Sequence, residues 1–466
     1  MSFWSWAEII LIYYFFILNG GYAFLSLVAF WEVYSHLQRR VYGGFEEVAR
    51  SPLTPAISVI VPAHNEEVSI ATTVNNLLHL DYMRYEVIVV NDGSTDGTLL
   101  ALQRAFALEP SEERGEGLLK SQEVRAVYNS PKHHRLTVID KKNGGKADSL
   151  NAGIDIAQHP YFCSIDADVI LEPDALQHMV LPILESPHRV IAVGGIIRVG
   201  NGCRIEKGRV TGIEISHKFI VIFQIIEYFR AFLCGRTGFS HYNALMIISG
   251  AFGVFDRDLS VTVGGYRVDT VGEDMDLVTR LHAYMGKNRD RDYRIKFIAD
   301  PVCWTEVPTT LRVLSRQRRR WQKGTLEVLQ SHKRFFFNPR YGAVGMMAYP
   351  FLFIFEGWGV AIECFGYLIF LIIWLRGGVQ TDFMIAFFCV AFLCGTTLSL
   401  AGILLGEMTP RQYPRFSQWV ILLVFAFLEN LGYRQLMSFL RFQGLLDYIL
   451  RRGNWGSMER GGHGAA

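Results

Sequence analysis

The sequence predicts an α/β fold: a doubly wound, largely parallel sheet joined to transmembrane and interfacial α-helices at both ends. Three observations carry that expectation. Half of the 466 residues (50%) are hydrophobic, and the excess gathers at the two ends of the chain. Between the ends, short apolar runs alternate with stretches of helical spacing, as in a parallel sheet covered by helices on both faces. The runs ISVIVPA, YEVIVVND, RLTVID and YFCSIDAD each finish in polar residues. In open α/β sheets ligands bind outside the carboxyl ends of the strands, so those polar ends are where chemistry is expected.

The elements follow in order. Ile9 to Trp31 is a long apolar run. At 1.5 Å per residue it reaches roughly 34 Å, enough to cross a bilayer core. The preceding MSFWSWAE has no basic residue and no small-x-small site follows, so the run reads as a retained transmembrane helix rather than a signal peptide. His36, Arg39 and Arg40 come next and put the following residues on the cytosolic side. Helical spacing covers Val68 to Leu80, Thr98 to Ala107 and Ala147 to Ala157. Ile215 to Leu233 is apolar but interrupted by Lys218, Gln224, Glu227 and Arg230, which suits an amphipathic helix at the membrane surface. A buried helix of the α/β domain is the alternative. Beyond Tyr341, the segments Met346 to Leu375, Phe383 to Leu405 and Trp419 to Leu431 are candidate spans, with Pro350 expected to divide the first. Glu356 and Glu363 share a helix face there and should point into a protein-lined or watery path. Three spans would leave the C-terminus outside, whereas Arg434, Arg441, Arg451 and Arg452 suit the cytosol; a re-entrant third segment would reconcile them. The expected division is an N-terminal transmembrane helix (1–35), a cytosolic linker (36–56), the α/β domain with interfacial helices (57–340), C-terminal transmembrane and interfacial helices (341–440) and a basic tail (441–466).

Composition excludes several classes. A formal net charge of +2 provides no broad basic field, so no nucleic-acid partner is expected. The seven cysteines contain no CxxC pair and read as small buried residues, not a disulfide framework or zinc site. No GxxxxGK[ST], GxSxG or HExxH pattern is present.

The chemistry-bearing residues sit at strand ends and in three later segments. Asn91-Asp92-Gly93-Ser94-Thr95-Asp96-Gly97 delivers a carboxylate into a glycine turn, where it can accept from a uracil N–H or a ribose hydroxyl. An ordinary Asp-Gly turn has the same sequence. Asn143-Gly144-Gly145-Lys146 opens a helix and can hold phosphate through backbone N–H groups and a lysine. Asp166-Ala167-Asp168 is a DxD at a strand end, able to bracket a hard divalent ion that neutralises a diphosphate. Val271-Gly272-Glu273-Asp274-Met275-Asp276 offers a carboxylate as general base, or equally acids suited to a helix N-terminus. Ser315-Arg316-Gln317-Arg318-Arg319-Arg320-Trp321 embeds an indole in a basic run, pairing a diphosphate-holding arginine with a flat face for a sugar ring.

Taken in this order, from about Ile57 to Gly324, these motifs resemble the processive family 2 glycosyltransferases: the cellulose, chitin, hyaluronan and poly-N-acetylglucosamine synthases. Gln317-x-x-Arg320-Trp321 (QxxRW) is the most telling part. The resemblance implies a GT-A-type nucleotide-sugar-binding domain and a UDP-sugar-dependent inverting hexosyltransferase in the bacterial inner membrane, its catalytic domain cytosolic. Ala63-His64-Asn65-Glu66-Glu67 would be a nucleotide-contacting loop. It implies nucleotide binding by Glu67, Asp92, Lys146, Asp166, Gln317 and Arg320, and Mg2+ or Mn2+ at Asp166 and Asp168. Asp274 would be the general base, and Ser249, Gly250, Phe252, Glu273 and Trp321 would contact the acceptor. The partners implied are a UDP-sugar donor (UDP-glucose or UDP-N-acetylglucosamine), the growing glycan acceptor, the lipid bilayer and accessory export proteins. Gly272 departs from the family's usual Thr, the acceptor loop lacks the cysteine of cellulose synthases, and no regulatory β-barrel follows; the last two weaken a cellulose assignment. The alternatives are a non-processive transferase that adds one sugar to a lipid carrier and a catalytically degenerate transporter or scaffold.

Overall fold

The computed structural model describes residues 3–42, 54–206, 208–288, 292–375, 381–410 and 413–451. The four anticipated strands form: β1 (Ile57–Ala63), β2 (Tyr85–Asp92), β5 (Leu136–Lys141) and β6 (Tyr161–Ile165). They pair in parallel in the order β5-β2-β1-β6, with Asn91 opposite Asp140 and Asp92 opposite Lys141. The register therefore brings polar strand ends to one edge. All residues of β1 and β2 except Pro62 and Glu86 are buried, on both faces of the sheet, which is why these strands read as near-continuous apolar runs. The crossing helices are α2 (Ile70–Leu77), α3 (Thr98–Phe106) and α4 (Lys146–Ile156), each starting within two residues of its expected position.

Six further strands complete the ten-stranded sheet: β3 (Glu109–Ser111), β4 (Val124–Asn129), β7 (Ile170–Leu171), β8 (Arg189–Val199), β11 (Phe252–Asp256) and β12 (Tyr293–Thr305). β11 runs antiparallel to both β6 and β8, so the sheet changes direction beside the DxD. A separate hairpin joins β9 (Arg204–Glu206) and β10 (Arg209–Gly212). Helix α5 (Ala175–Glu185) covers β8 and β12.

Among the described residues, four helices are long and apolar enough to cross a membrane: Ile9–Gln38, Val344–Ile372, Asp382–Met408 and Phe416–Ile449. The first lies within α1 (Phe3–Tyr42), longer than the expected segment; residues 43–53 of the expected linker lie outside the described residues. The second is not divided at Pro350. Turns of π-helix, Val344–Ala348 and Leu352–Trp358, flank the proline and absorb its missing donor. The fourth breaks at Leu431 and Gly432, where Gly432 takes φ +125°, a conformation that favours glycine. After this break the arginine-rich segment is a helix, α15 (Arg434–Ile449), and it packs along α10 (Leu311–Ser331), the helix bearing QxxRW. Arg434 and Arg441 thus belong to a packed element that crosses the expected 440/441 boundary; Arg452 and the rest of the tail lie outside the described residues.

The segment with alternative readings forms α6 (Phe219–Tyr228) and a π-helix, Phe229–Arg236. Val221, Ile222, Gln224, Ile225 and Ile226 are buried, because the helix lies between β8 and the apolar helix α14 (Phe416–Leu428). One continuous core runs from the sheet into α1 through Ala29 and Val33 and into α14 through Leu422.

Candidate active site

The edge of the parallel strands is built around a buried lysine. Lys141, fully enclosed, pairs with Asp92 Oδ1 at 2.6 Å and Asp148 Oδ1 at 2.6 Å. Asp92 Oδ1 also accepts from Gly144 N (2.9 Å), and its Oδ2 from Gly145 N (2.8 Å). The ammonium between two carboxylates fixes the loop 142–145 against β2. Three of the roughly four lone-pair directions of Asp92 are thereby used, leaving one on Oδ2. The β1 loop closes onto the same edge. His64 Nδ1 lies 2.8 Å from Asp92 O, and Asn65 N donates to Ser94 Oγ at 3.0 Å. Glu67 is exposed there; its Oε2 accepts from Gly97 N at 3.0 Å, fastening the β1 loop to the β2 turn.

A second cluster joins residues from four distant segments. Lys146 Nζ pairs with Asp166 Oδ1 at 2.5 Å and donates to Gly250 O at 2.8 Å. Gly250 N donates to Asp274 Oδ2 at 3.1 Å. The charges of Glu273 and Asp274 also reach Lys146: burial alone would lower its pKa, but Asp166, Glu273 and Asp274 outweigh it and raise it. Burial, then the neighbouring Asp274 charge, pushes the Glu273 carboxyl up to about 7, against the pull of Lys146 and Arg320. A buried carboxyl with raised proton affinity in such a cluster is the pattern of a functional centre.

The remaining expected residues fall as follows. Asp168 sits in a tight turn after β6, in which Val169 N donates to Asp166 O at 3.2 Å. Carboxylates one residue apart across such a turn can bracket a hard cation. Among the described residues no group of three His, Cys, Asp or Glu side chains gathers as a metal cage. The donor set fits a Mg2+- or Mn2+-type ion that takes one or two carboxylates and completes its shell with phosphate oxygens and water. Ser249 accepts from Phe252 N at 3.1 Å through its carbonyl. The Phe252 ring, expected to meet the acceptor, is wholly enclosed in the sheet core. Gln317 Oε1 is buried without a hydrogen-bond partner among the described residues. Trp321 keeps 42% exposure, with Arg318 Cζ 4.5 Å from its ring centre. Arg318 is held by Glu227 at 2.9 Å.

Helix α9 (Glu273–Lys287) carries both acids and is pressed against α10. A Cβ on Gly272 would lie 2.9 Å from Gly324 O, so neither glycine tolerates a side chain. The departure at Gly272 is thus a close-packing requirement. Glu327 Oε2 accepts from Thr270 Oγ1 (2.8 Å) and Val271 N (3.1 Å), tying α10 to the approach of α9. Asp276, buried, takes Arg280 Nε at 2.6 Å and His332 Nε2 at 3.1 Å. Burial opposes ionisation, but those hydrogen bonds and the neighbouring cations lower its pKa, so Asp276 is held as a structural anchor. Lys141, Asp148 and Glu327 were not anticipated; only the strand register and helix packing reveal them.

Polar groups continue between the apolar helices. Arg441 pairs with Glu356 Oε2 (2.6 Å) and donates through Nε to Gln322 Oε1 (2.9 Å), one residue from Trp321. Tyr22 also donates to Glu356, while Ser438 and Tyr14 donate to Glu363 (2.5 and 3.3 Å). Glu429 is fully buried between Arg230 (2.7 Å) and Arg434 (2.8 Å). Glu356 and Glu363 therefore face protein partners, within the protein-lined or watery path expected of them.

Fold and site define a nucleotide-sugar transferase class, and comparison with known proteins agrees. Residues 58–260 match glycosyl transferase family 2, and residues 161–427 match glycosyl transferase family group 2. The second match covers more than half of the chain, and the chain belongs to that family, with a GT-A-like fold. Among similar sequences are the poly-beta-1,6-N-acetyl-D-glucosamine synthases of Staphylococcus epidermidis and Staphylococcus aureus, each 30% identical over 274 residues, covering 59% of this chain and 55% of theirs. The chain spans about half the length of the curated relatives it matches. A mannosyltransferase from Pyrobaculum calidifontis, solved with GDP-Man and Mn2+, superposes with a TM-score of 0.50 at 17% identity over 94% of this chain and 100% of that one, a likeness of fold alone.

Proposed function

We propose that the chain is a membrane-embedded inverting glycosyltransferase that polymerises a UDP-sugar into a β-linked exopolysaccharide and guides the product across the membrane. The observation that carries this reading is the chain of contacts Asp166–Lys146–Gly250–Asp274, which ties the DxD, the phosphate-binding turn, the acceptor loop and the base into one centre. The names of its relatives favour N-acetylglucosamine over glucose as the transferred sugar. The transferase domain would lie on the cytosolic side of a bacterial inner membrane, since His36, Arg39 and Arg40 follow the first apolar run.

In this reading the uridine edge meets the last free lone pair of Asp92 beside the loop closed by Glu67. Lys146 and Arg320 hold the diphosphate, while the unpartnered carbonyl oxygen of Gln317 accepts from an N–H or O–H group of the nucleotide. Asp274 takes the proton of the acceptor hydroxyl; that oxygen bonds to C1 of the donor, the C1–O bond to phosphate breaks, and UDP leaves with the electron pair. A single in-line displacement inverts the anomeric centre. Asp166 and Asp168 would hold a Mg2+ or Mn2+ ion, which supplies charge neutralisation for the departing diphosphate. Trp321 gives the acceptor ring a flat apolar face, and Ser249, Gly250 and Glu273 surround its hydroxyls. The polar seam through Glu356, Glu363 and Glu429 suits the exit path, because a hydrophilic chain needs polar walls in a bilayer.

The test is UDP release by the purified full chain across a panel of UDP-sugars with Mg2+ or Mn2+, with product length read by electrophoresis. UDP-N-acetylglucosamine is expected to be turned over into a polydisperse polymer. A single-sugar lipid product would replace polymerisation by lipid-carrier glycosylation, and no UDP release from any donor would overturn the reading.

A further inference from the structure

A carboxylate among the apolar helices is bonded through one of its oxygens only. Glu429 follows α14 and is fully buried. Its Oε1 accepts from Arg230 Nη1 (2.7 Å), Arg434 Nη2 (2.8 Å), Arg434 Nε (3.1 Å) and the Ser399 hydroxyl. Its Oε2 is buried and has no hydrogen-bond partner among the described residues. The next residue repeats the pattern. Asn430 Nδ2 donates to Thr396 Oγ1 (3.0 Å) and Ala426 O (3.2 Å), while Asn430 Oδ1 is buried with no donor among the described residues. Ala426 O can only accept, which fixes Nδ2 as the atom facing it and leaves Oδ1 as the idle acceptor. Buried acceptors without a donor are costly, so two on consecutive residues call for a ligand that donates.

A donor stands beside Asn430 Oδ1. Gly395, on α13 (Cys394–Met408), comes so close that a Cβ there would lie 2.5 Å from Arg434 Nη1 and 2.7 Å from Asn430 Oδ1. Arg434 uses Nε and Nη2 for Glu429, Ser399 and the Gly395 carbonyl, with Nη1 left at this place. Donor and acceptor are near enough for one oxygen to bridge them. Gly395 stands at the middle of the candidate span Asp382–Met408, and Arg230 and Arg434 keep 22% and 23% of their side-chain surface open. Guanidinium groups open at that depth are costly against lipid, so the opening belongs to a polar path. Helix α15 connects this place with the transferase site. Arg434, Ser438 and Arg441 recur at i, i+4 and i+7 and share one face. They are bonded in turn to Glu429, to Glu363 (2.5 Å) and to Glu356 (2.6 Å), and Arg441 also reaches Gln322, next to Trp321.

Resting on the proposed function, we propose that Glu429, Asn430 and Arg434 form a hydroxyl-binding site between the apolar helices that holds a neutral sugar of the outgoing chain. A hydroxyl accepts from Arg434 Nη1 and donates to Asn430 Oδ1, and a second hydroxyl of the same sugar donates to Glu429 Oε2. A carboxylate or phosphate only accepts; it would leave both acceptors idle, so the site suits a neutral hexose or hexosamine and not a uronate. The glycine at 395 lets Arg434 and Asn430 approach each other from the α15 side without a side chain between them.

The experiment compares the full chain with its Asn430→Ala and Gly395→Ala variants, each in lipid nanodiscs with UDP-N-acetylglucosamine. Product length is read by electrophoresis, and the number of chains by their reducing ends. Length is set by how often a chain is extended before it leaves, so a weaker hold on the outgoing sugars shortens it. A mean length about 3- to 10-fold below wild type is expected for both variants, the change in dissociation rate that losing about one hydrogen bond brings. Gly395→Ala crowds the same pair from the opposite helix and carries the comparison if Asn430→Ala does not fold. A purely structural role lowers the amount of active enzyme, which gives fewer chains of wild-type length; that result overturns the assignment. Water as the only occupant likewise leaves the length unchanged and overturns it. A wild type that releases no UDP from any UDP-sugar, or makes only a single-sugar product, defeats the function reading and this inference with it. A polymerising wild type whose variants keep its product length defeats this inference alone.

Discussion

The two acids at the start of α9 differ in what surrounds them. Asp274 receives Gly250 N, whereas Glu273 is pushed from the ordinary 4.5 to about 7 by burial and by Asp274. A group whose pKa is raised in the folded state favours folding fully below its unfolded value and loses that contribution as pH rises through the folded value. Glu273 therefore helps the unliganded protein below about pH 4.5 and ceases to help above about pH 7. Glu273→Gln is expected to raise the melting temperature relative to wild type at pH 8, with the gain vanishing near pH 4.5; scanning fluorimetry at the two pH values reads this, and a gain at low pH only would contradict it. Lys141→Met is a sterner change. It leaves Asp92 and Asp148 buried without their cation, a loss worth about 3–5 kcal/mol in comparable settings, and it frees the loop 142–145. Both lower stability and a higher donor KM are expected in denaturation and kinetic measurements.

At the level of elements, α9 lies hard against α10. Gly272 and Gly324 set that distance, with a hypothetical Cβ only 2.9 Å from the opposing backbone. Gly272→Ala and Gly324→Ala should each cost about 1–3 kcal/mol. Because both push the same pair of helices apart, their costs should not add in the double variant, and a double-mutant cycle measures this coupling. Strictly additive effects would argue that the helices do not share this contact. Sequence patterning made the four parallel strands and their helices legible, since strands buried on both faces must be apolar throughout and must end where ligands bind. β8 was harder to see because Gly194 and Gly195 interrupt it. The Asp92–Lys141–Asp148 triad and the α9–α10 clasp were hidden because each depends on register or packing between residues tens of positions apart. Phe252 lies in the core for a related reason: its loop borders the site, but the residue opens β11, a strand buried along its whole length.

Across the whole molecule, the transferase domain and the apolar helices share one core and a chain of polar contacts. Arg441 on α15 reaches both Glu356 in the second candidate span and Gln322 beside Trp321. Arg441→Met is expected to destabilise the protein by about 3 kcal/mol by stranding Glu356, and Glu356→Gln added to it should recover most of that loss. Thermal unfolding in detergent tests the pair, and failure of the second change to rescue would mean that the two groups are not energetically linked. The break at Gly432 explains why the arginines beyond it looked like a tail: sequence gives their charge, but only packing reveals that Arg434 and Arg441 belong to a helix seated on α10.

The most direct measurement of the central claim, that distant acids converge on one donor diphosphate with Asp274 as the base, is made on Asp274→Asn in the full chain. UDP binding by calorimetry should stay within about 3-fold of wild type, while UDP-sugar turnover falls by about 100- to 10,000-fold, the usual worth of a general base. Turnover near the wild-type rate would contradict the assignment of Asp274, and loss of UDP binding together with turnover would contradict the separation of base from diphosphate site.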